Sequence, residues 1–114
     1  VIVIGDKISK NSKITVGMEA ISRIRQLKAD LCFMGINAIN LENGVSDNDW
    51  EVVQIKRAMI ESAQKLVCLT IAEKIDSQQP IQVCEPRQIH TLITELNPDE
   101  PVLQPYKKAG ITVL

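Results

Sequence analysis

The sequence predicts an α/β fold: a three-layer, mainly parallel sheet with flanking helices, of the Rossmann-like type. Short apolar runs alternate with amphipathic segments along the chain, which is the pattern of consecutive βαβ units. The chain has 114 residues, of which 45% are hydrophobic, so one domain with a true core is expected. The sequence contains no internal linker or repeat, and we therefore treat residues 1–114 as one unit.

In the first half of the chain, apolar runs predict strands and an apolar period of three to four residues predicts helices. The predicted order is a strand at 1–4, a loop at 7–13, a helix at 17–27, a strand at 31–34, an Asn- and Gly-rich loop at 37–46 and a helix at 49–65. The first helix is expected to bury a face formed by Met18, Ile21, Ile24 and Leu27. Either Asp47 or Asp49 is expected to cap the second helix.

In the second half, the predicted order is a strand at 66–71, a turn at 76–80, a short strand at 81–83, one helical turn at 85–89, a strand at 92–94, a helix at 101–109 and a strand at 111–114. The run at 66–71 is continuously apolar, as in a strand that is buried on both faces. We therefore expect Leu31 and Leu69 to be core residues, whose truncation to Ala costs roughly 2–5 kcal/mol. Gly110 suits the end of the last helix.

Composition excludes several classes of function. The net charge is −1 and the isoelectric point is near 5.8, so the chain lacks the basic excess of a free-standing nucleic-acid binder. The three cysteines, Cys32, Cys68 and Cys84, are widely spaced and far from His90, which predicts reduced buried thiols in a cytoplasmic protein, without a metal site. No apolar stretch approaches the ~20 residues of a membrane span, so no membrane partner is expected.

Ligands of parallel sheets bind beyond the carboxyl ends of the strands. This rule selects four segments, at residues 5–13, 35–46, 72–77 and 95–98. In the strongest of them, Gly35 follows a strand and can offer backbone amides to a ligand, and Asn37 and Asn40 can donate to and accept from sugar hydroxyls. Lys56 and Arg57 lie about two turns into the following helix. An ordinary loop with solvated helix charges explains the same pattern equally well.

A resemblance favours the functional interpretation. The chain resembles the sensor domain of the DeoR (deoxyribonucleoside regulator) family of bacterial repressors, whose typical pattern is F-[IL]-G-x-x-[GA]-[IL], then G-[LVM]-[TS], then K-R-x-M-I. The residues that carry the resemblance are Phe33, Met34, Gly35, Ala38, Ile39, Gly44, Val45, Ser46, Lys56, Arg57, Met59 and Ile60. Residues 1–5, 92–95 and 109–113 also fit, so the resemblance covers essentially the whole chain in order.

The resemblance implies a fold like that of ribose-5-phosphate isomerase and glucosamine-6-phosphate deaminase, incomplete here at its N-terminus. It implies an effector-binding domain over residues 1–114 that binds a phosphorylated sugar or sugar derivative and needs no cofactor. In such repressors a winged helix-turn-helix precedes this domain and contacts DNA, and these 114 residues do not contain it. A homo-oligomer, dimer or tetramer, is also implied.

For the site, the resemblance implies an effector-binding set rather than a catalytic one. The expected set is Gly35, Ile36, Asn37, Asn40, Gly44, Ser46, Lys56 and Lys74. Lys74 is the expected charge partner of a phosphate, with a solvated loop lysine as the alternative. The chain departs from the family in three places: Ile71 stands where an Asp is common, Val52 where an acidic residue is frequent, and Asn40 where an Asp is frequent. These departures put the sugar-hydroxyl contacts in doubt.

The same residues argue against catalysis. Sugar-phosphate isomerases need a carboxylate base, and the similar pentose-phosphate isomerases carry a glutamate where this chain has Arg57. A guanidinium stays protonated and cannot replace that base. We therefore predict a sensor that is not an enzyme. Two alternatives stay open: an isomerase or deaminase remnant that depends on Glu42 or Glu51, and a structural assembly domain with a vestigial pocket.

Overall fold

The computed structural model describes residues 7–8 and 15–114. The elements in chain order are β1 (Lys7–Ile8), β2 (Thr15–Val16), α1 (Met18–Arg25), β3 (Ala29–Gly35), β4 (Ala38–Asn40), β5 (Gly44–Asp47), α2 (Trp50–Glu61), β6 (Ala63–Leu69), β7 (Ile81–Cys84), β8 (Ile89–Ile93), α3 (Gln104–Lys108) and β9 (Thr112–Val113). Short 3₁₀ turns occupy Ala72–Lys74, Pro86–Gln88 and Pro101–Leu103. The predicted strand at 1–4 lies outside the described residues, and β1 replaces the start of the predicted loop.

The main sheet has four strands in the order β3-β6-β8-β9, and every neighbouring pair is parallel. The prediction of an α/β fold with a mainly parallel sheet is therefore confirmed. In the register of the strands, Gly35 is paired with Leu69, and Leu69 with Ile93. The carboxyl ends of β3, β6 and β8 consequently lie level with one another and form one edge of the sheet.

One face of this sheet carries the core. Cys32 and Met34 of β3 are buried in a cluster that also contains Val53 of α2 and Tyr106 of α3. Side chains alternate between the faces of a strand, so Leu31 and Phe33 lie on the opposite face. There, Leu31 is 47%, Phe33 59% and Leu69 37% exposed. The prediction that Leu31 and Leu69 are core residues was wrong, because the described helices and the second sheet cover the Cys32 face.

A second sheet, of three antiparallel strands in the order β4-β5-β7, packs into the same core. Its first two strands form a hairpin where the sequence predicted a loop at 37–46. Gly44 begins the return strand with φ of +75°, and a Cβ at this position would lie 2.1 Å from the Cys84 carbonyl oxygen. The prediction failed because strands of three and four residues, rich in Asn and Gly, cannot be told from a loop by pattern.

Helices α1 and α2 begin within one residue of the predicted positions, but α2 ends at Glu61 instead of residue 65. The predicted end was wrong because Ala63 and Lys65 pair with β3 and belong to β6. Asp49 caps α2, since its carboxylate accepts from the backbone N–H groups of Glu51 and Val52. The face predicted for α1 is only partly correct. Ile21 and Ile24 pack towards α2, whereas Met18 is exposed and the buried residue of the helix is Ala20.

The C-terminal segment closes the core around Tyr106, which is fully buried. The Tyr106 hydroxyl donates to the Asp76 carboxylate over 2.6 Å, while its ring packs in the main cluster. Gly110 has φ of +94° directly after α3, as the sequence predicted for the end of this helix. None of the helices in the described part of the chain is long and apolar enough to cross a membrane.

Candidate functional site at the carboxyl edge of the sheet

Three chain segments meet at the carboxyl edge of the parallel sheet, directly after β3, β6 and β8. The Ile36 N–H donates to the Leu69 carbonyl over 3.1 Å, and the Thr70 hydroxyl donates to the Ile36 carbonyl over 3.3 Å. The Ala72 N–H donates to the Glu95 carboxylate over 2.9 Å. These bonds join the segments into one continuous surface where a ligand of this fold class binds.

Lys56 of α2 reaches this edge. Its ammonium donates to the Gly35 carbonyl over 3.1 Å and to the Asp47 carboxylate over 3.0 Å. The Lys56 side chain is 14% exposed and the Asp47 side chain 2%. The pair therefore connects α2 to the last residue of β3 and to the last residue of β5, in surroundings that exclude most water.

Asp47 stays charged in this buried place because it is well partnered. Burial by itself raises the pKa of the carboxyl group. The hydrogen bonds from the Lys56 ammonium, the Asn48 N–H and the Asn37 side chain, together with the charge of Lys56, outweigh burial, so the net pKa is lowered. Asp47 is thus an anion at neutral pH and neutralises most of the charge of Lys56.

Lys74 ends the 3₁₀ turn that follows β6 and is half-buried. Among the residues that the structure describes, no carboxylate pairs with its ammonium. The turn is held in place on both sides: the Ser77 hydroxyl donates to the Lys74 carbonyl over 2.6 Å, and Ile75 bridges to Ile39 of β4. Within residues 7–8 and 15–114, Lys74 therefore presents a positive charge that no carboxylate compensates, from a fixed backbone.

Apart from Lys74, the predicted site residues fall into two groups in the structure. Gly35, Ile36, Asn37 and Lys56 lie together at the end of β3. Asn40 and Gly44 pair with each other at the turn of the β4–β5 hairpin, and Ser46 is buried at the other end of the hairpin, opposite Ala38.

The polar groups of the hairpin residues already have partners within the protein. The Asn40 side chain accepts from the Asn43 N–H over 2.7 Å and donates to the Ser77 carbonyl over 3.3 Å. The Ser46 hydroxyl accepts from the Gln79 N–H over 2.8 Å. Asn40 and Ser46 therefore fasten the hairpin to the loop that follows Lys74, and their contribution to ligand contact stays a prediction.

Arg57 does not point to the edge. Its guanidinium donates to the Gln82 carbonyl, on the free edge of β7. The α2 side chain that reaches the strand ends is Lys56. An ammonium in an ion pair serves no better than a guanidinium as a base, and both Glu42 and Glu51 are exposed.

The three cysteines are free and buried in the core. Burial raises the pKa of the Cys32 and Cys84 thiols, that of Cys84 to about 11, and burial also raises the pKa of Cys68. They are therefore protonated and unreactive at neutral pH. Within residues 7–8 and 15–114, no group of three or more His, Cys, Asp or Glu side chains could hold a metal ion.

Sequence reasoning missed Asp47 and Thr70 as parts of this edge. Asp47 was considered only as a helix cap, although its place directly after Val45 and Ser46 in a buried strand signals a carboxylate that needs a partner. Glu95 was included in the predicted edge segment at 95–98, but no contact was predicted for it. In the structure, the Thr94 hydroxyl donates to Glu95 over 2.7 Å, and this bond leads the contacts that lower the pKa of Glu95.

Comparison with known proteins agrees with this architecture. Residues 1–96 match the family model described as the DeoR C terminal sensor domain. The chain is 27% identical to the HTH-type transcriptional regulator GlpR of Haloferax volcanii, over 96% of this chain and 43% of that protein. It is 24% identical to a putative aga operon transcriptional repressor of Escherichia coli O157:H7, over 96% of this chain and 41% of that protein.

A third relative is the glycerol-3-phosphate regulon repressor of Haemophilus influenzae, which is 29% identical over 69% of this chain and 31% of that protein. The chain thus spans less than half the length of these relatives. All three relatives are named as transcriptional regulators or repressors. Because the family model covers most of the chain, the chain belongs to the DeoR C-terminal sensor domain family.

Proposed function

We propose that this chain is the effector-binding part of a DeoR-type repressor, that it binds a phosphorylated sugar or sugar derivative at the carboxyl edge, and that binding controls an N-terminal helix-turn-helix. The repressor acts in the cytoplasm as a homo-oligomer and contacts DNA only through that N-terminal domain. The observation that carries this proposal is Lys74, a cation that no described carboxylate pairs with, on a fixed turn at the sheet edge where α/β folds bind ligands.

Two further observations support a sensor over an enzyme. The edge presents donors, namely the Lys74 and Lys56 ammonium groups, which bind and do not abstract protons. Two of its carboxylates are engaged: Asp47 holds Lys56, and Glu95 holds the Ala72 N–H. A base for enolisation needs an available carboxylate near the substrate, so binding without turnover is the function that this arrangement supports.

The mechanism is a shift of population between two arrangements of the repressor. The effector joins the segments after β3 and β6, because its phosphate binds Lys74 and its hydroxyl groups bind the end of β3. A ligand shifts such an equilibrium only by its differential affinity for the two states. The effector therefore stabilises the arrangement in which these segments are joined. The positions of the DNA-binding domains change with that arrangement.

A binding screen of the full-length repressor tests the proposal. The screen measures thermal shift and calorimetric affinity for glycerol 3-phosphate, ribose 5-phosphate, glucose 6-phosphate and the unphosphorylated parent compounds. We expect one or more phosphorylated compounds to bind and the parents to bind far more weakly. Lys74→Met should weaken the binding of the phosphorylated ligand. Lys108→Met, which replaces an exposed lysine at the end of α3, should leave that binding unchanged.

The screen also separates the remaining alternatives. Binding of no panel compound by a stable oligomer supports a structural assembly domain with a vestigial pocket. Turnover of ribose 5-phosphate in a coupled assay, abolished by Glu51→Gln, supports an isomerase. Normal effector affinity in Lys74→Met contradicts the assignment of the phosphate position.

A further inference from the structure

The geometry points to a division of labour between the two described lysines at the edge: the Asp47–Lys56 pair recognises an uncharged hydroxyl or carbonyl oxygen of the effector, and Lys74 recognises its anionic group. This inference rests on the proposed function and names the chemistry of each part of the ligand. Lys56 is here a specificity-determining residue that touches the ligand. Asp47 is a positioning residue that acts through Lys56.

The hydrogen-bond geometry of Lys56 leaves one donor for a ligand. An ammonium group has three N–H donors. Two of them are used, by the Gly35 carbonyl and the Asp47 carboxylate, and among the described residues the third has no acceptor. Since the side chain retains 14% exposure at the end of β3, this third N–H is within reach of a molecule bound at the edge.

The charge of the pair decides which ligand group fits. Asp47 is almost completely buried and is held by the Asn48 N–H over 2.7 Å as well as by Lys56. A phosphate bound to Lys56 would therefore also meet the negative charge of the Asp47 carboxylate, 3.0 Å from the ammonium, which offsets part of the attraction. An uncharged oxygen meets no such repulsion and gains a charge-assisted hydrogen bond.

Gly35 enters the site through its backbone. Its carbonyl accepts from the Lys56 ammonium over 3.1 Å and so fixes the direction of the remaining N–H groups. Gly35 has no left-handed φ, and a Cβ built on it would meet no atom within 4 Å, so the fold does not require glycine at this position.

The test compares ligands that differ by one hydroxyl. Calorimetry of the full-length repressor measures the affinities for ribose 5-phosphate and 2-deoxyribose 5-phosphate, and for glucose 6-phosphate, 2-deoxyglucose 6-phosphate and 1,5-anhydroglucitol 6-phosphate. For the unsubstituted protein we expect one deoxy analogue to bind roughly 10- to 100-fold more weakly than its parent. In Lys56→Met the parent should bind as weakly as that analogue, and the difference between the two should vanish.

Lys74→Met is the matched control, because it removes the other cation at the edge. It should weaken the binding of the parent sugar phosphate and of its deoxy analogue equally, and leave the ratio of their affinities unchanged. It should also reduce the dependence of affinity on salt, because it removes a positive charge from the site. A ratio that persists in Lys56→Met, or equal binding of every analogue by the unsubstituted protein, overturns the inference. If no sugar phosphate binds the unsubstituted protein, the proposed function itself fails.

A second variant gives a readout that does not depend on the sugar. Asp47→Asn removes the carboxylate and leaves Lys56 with its full charge. We expect inorganic phosphate to bind this variant at least tenfold more tightly than it binds the unsubstituted protein. Unchanged or weaker phosphate binding by folded Asp47→Asn protein, checked by circular dichroism, would show that Asp47 does not exclude anions from the position.

Discussion

At the scale of single residues, the structure shows where a residue type is required and where it is only tolerated. Gly44 is required, because its backbone is left-handed and the Cys84 carbonyl occupies the place of a side chain. Gly35 is not required by the fold, although both glycines follow from the same family pattern. The sequence pattern selected both glycines but could not show which one the fold requires. That depends on the Cys84 backbone of β7, which lies against the Cβ position of Gly44 and not against that of Gly35.

Gly44→Ala should lower the free energy of unfolding by more than Gly110→Ala. Both glycines have positive φ, which costs a non-glycine residue about 1–3 kcal/mol. Only Gly44 adds a collision with backbone, at 2.1 Å from the Cys84 oxygen, while a Cβ on Gly110 meets nothing within 4 Å. Urea unfolding of both variants measures the difference, and equal costs would contradict the hairpin geometry.

Asp47 makes the stability of the protein depend on acid pH. Because its pKa is lowered in the folded state, its stabilising contribution is complete above the ordinary value of 3.8 and is lost as pH falls through the lower folded value. At neutral pH, Asp47→Asn should therefore have a lower free energy of unfolding than the unsubstituted protein. Below pH 3.8 its free energy of unfolding should fall less steeply with pH.

Asp99→Asn is the control for this measurement. Asp99 is almost fully exposed and lies 3.9 Å from the Lys107 ammonium. Such a pair contributes about 0–1 kcal/mol, so its loss should leave the acid profile unchanged. An acid profile of Asp47→Asn that follows the unsubstituted protein would contradict the buried ion pair.

At the scale of elements, the long pieces were predictable and the short ones were not. Pattern located α2, β3 and β6 because each is at least seven residues long and carries several apolar side chains. The β4–β5 hairpin escaped prediction, since its strands have three and four residues and derive their stability from pairing with β7. The same limit applies to the site. Lys56 and Lys74 could both be selected from the sequence, but the sequence did not show that only Lys56, of these two, has a carboxylate partner among the described residues. That partner is Asp47, which the folded hairpin brings to Lys56.

Neighbouring residues of β3 should respond very differently to truncation. Met34→Ala removes a side chain from the main core and should cost about 2–5 kcal/mol. Phe33→Ala removes a larger side chain from the open face, where it is 59% exposed, and should cost less than about 1 kcal/mol. Urea unfolding of the chain of residues 1–114 measures both. A cost for Phe33→Ala as large as that for Met34→Ala would show that another layer covers this face.

At the scale of the whole molecule, the core depends on a segment beyond the family match. The match ends at residue 96, yet four buried residues of the main cluster follow it: Leu103, Tyr106, Ile111 and Val113. Tyr106 also joins distant parts of the chain, because its hydroxyl bonds to Asp76 and to the Ile39 carbonyl of β4. The C-terminal segment therefore supports the loop that carries Lys74 and the hairpin that carries Asp47.

A chain that ends at residue 96 should accordingly lose cooperative unfolding. It lacks β9, which pairs with β8, and it exposes the core surface that Tyr106 and Leu103 cover. Removal of exposed Leu114 alone should leave the transition nearly unchanged. Urea titration followed by far-ultraviolet circular dichroism distinguishes the two deletions. A steep transition in the chain ending at residue 96 would show that β3, β6 and β8 with α2 form a stable unit alone, and that the C-terminal segment serves only to position the Lys74 loop.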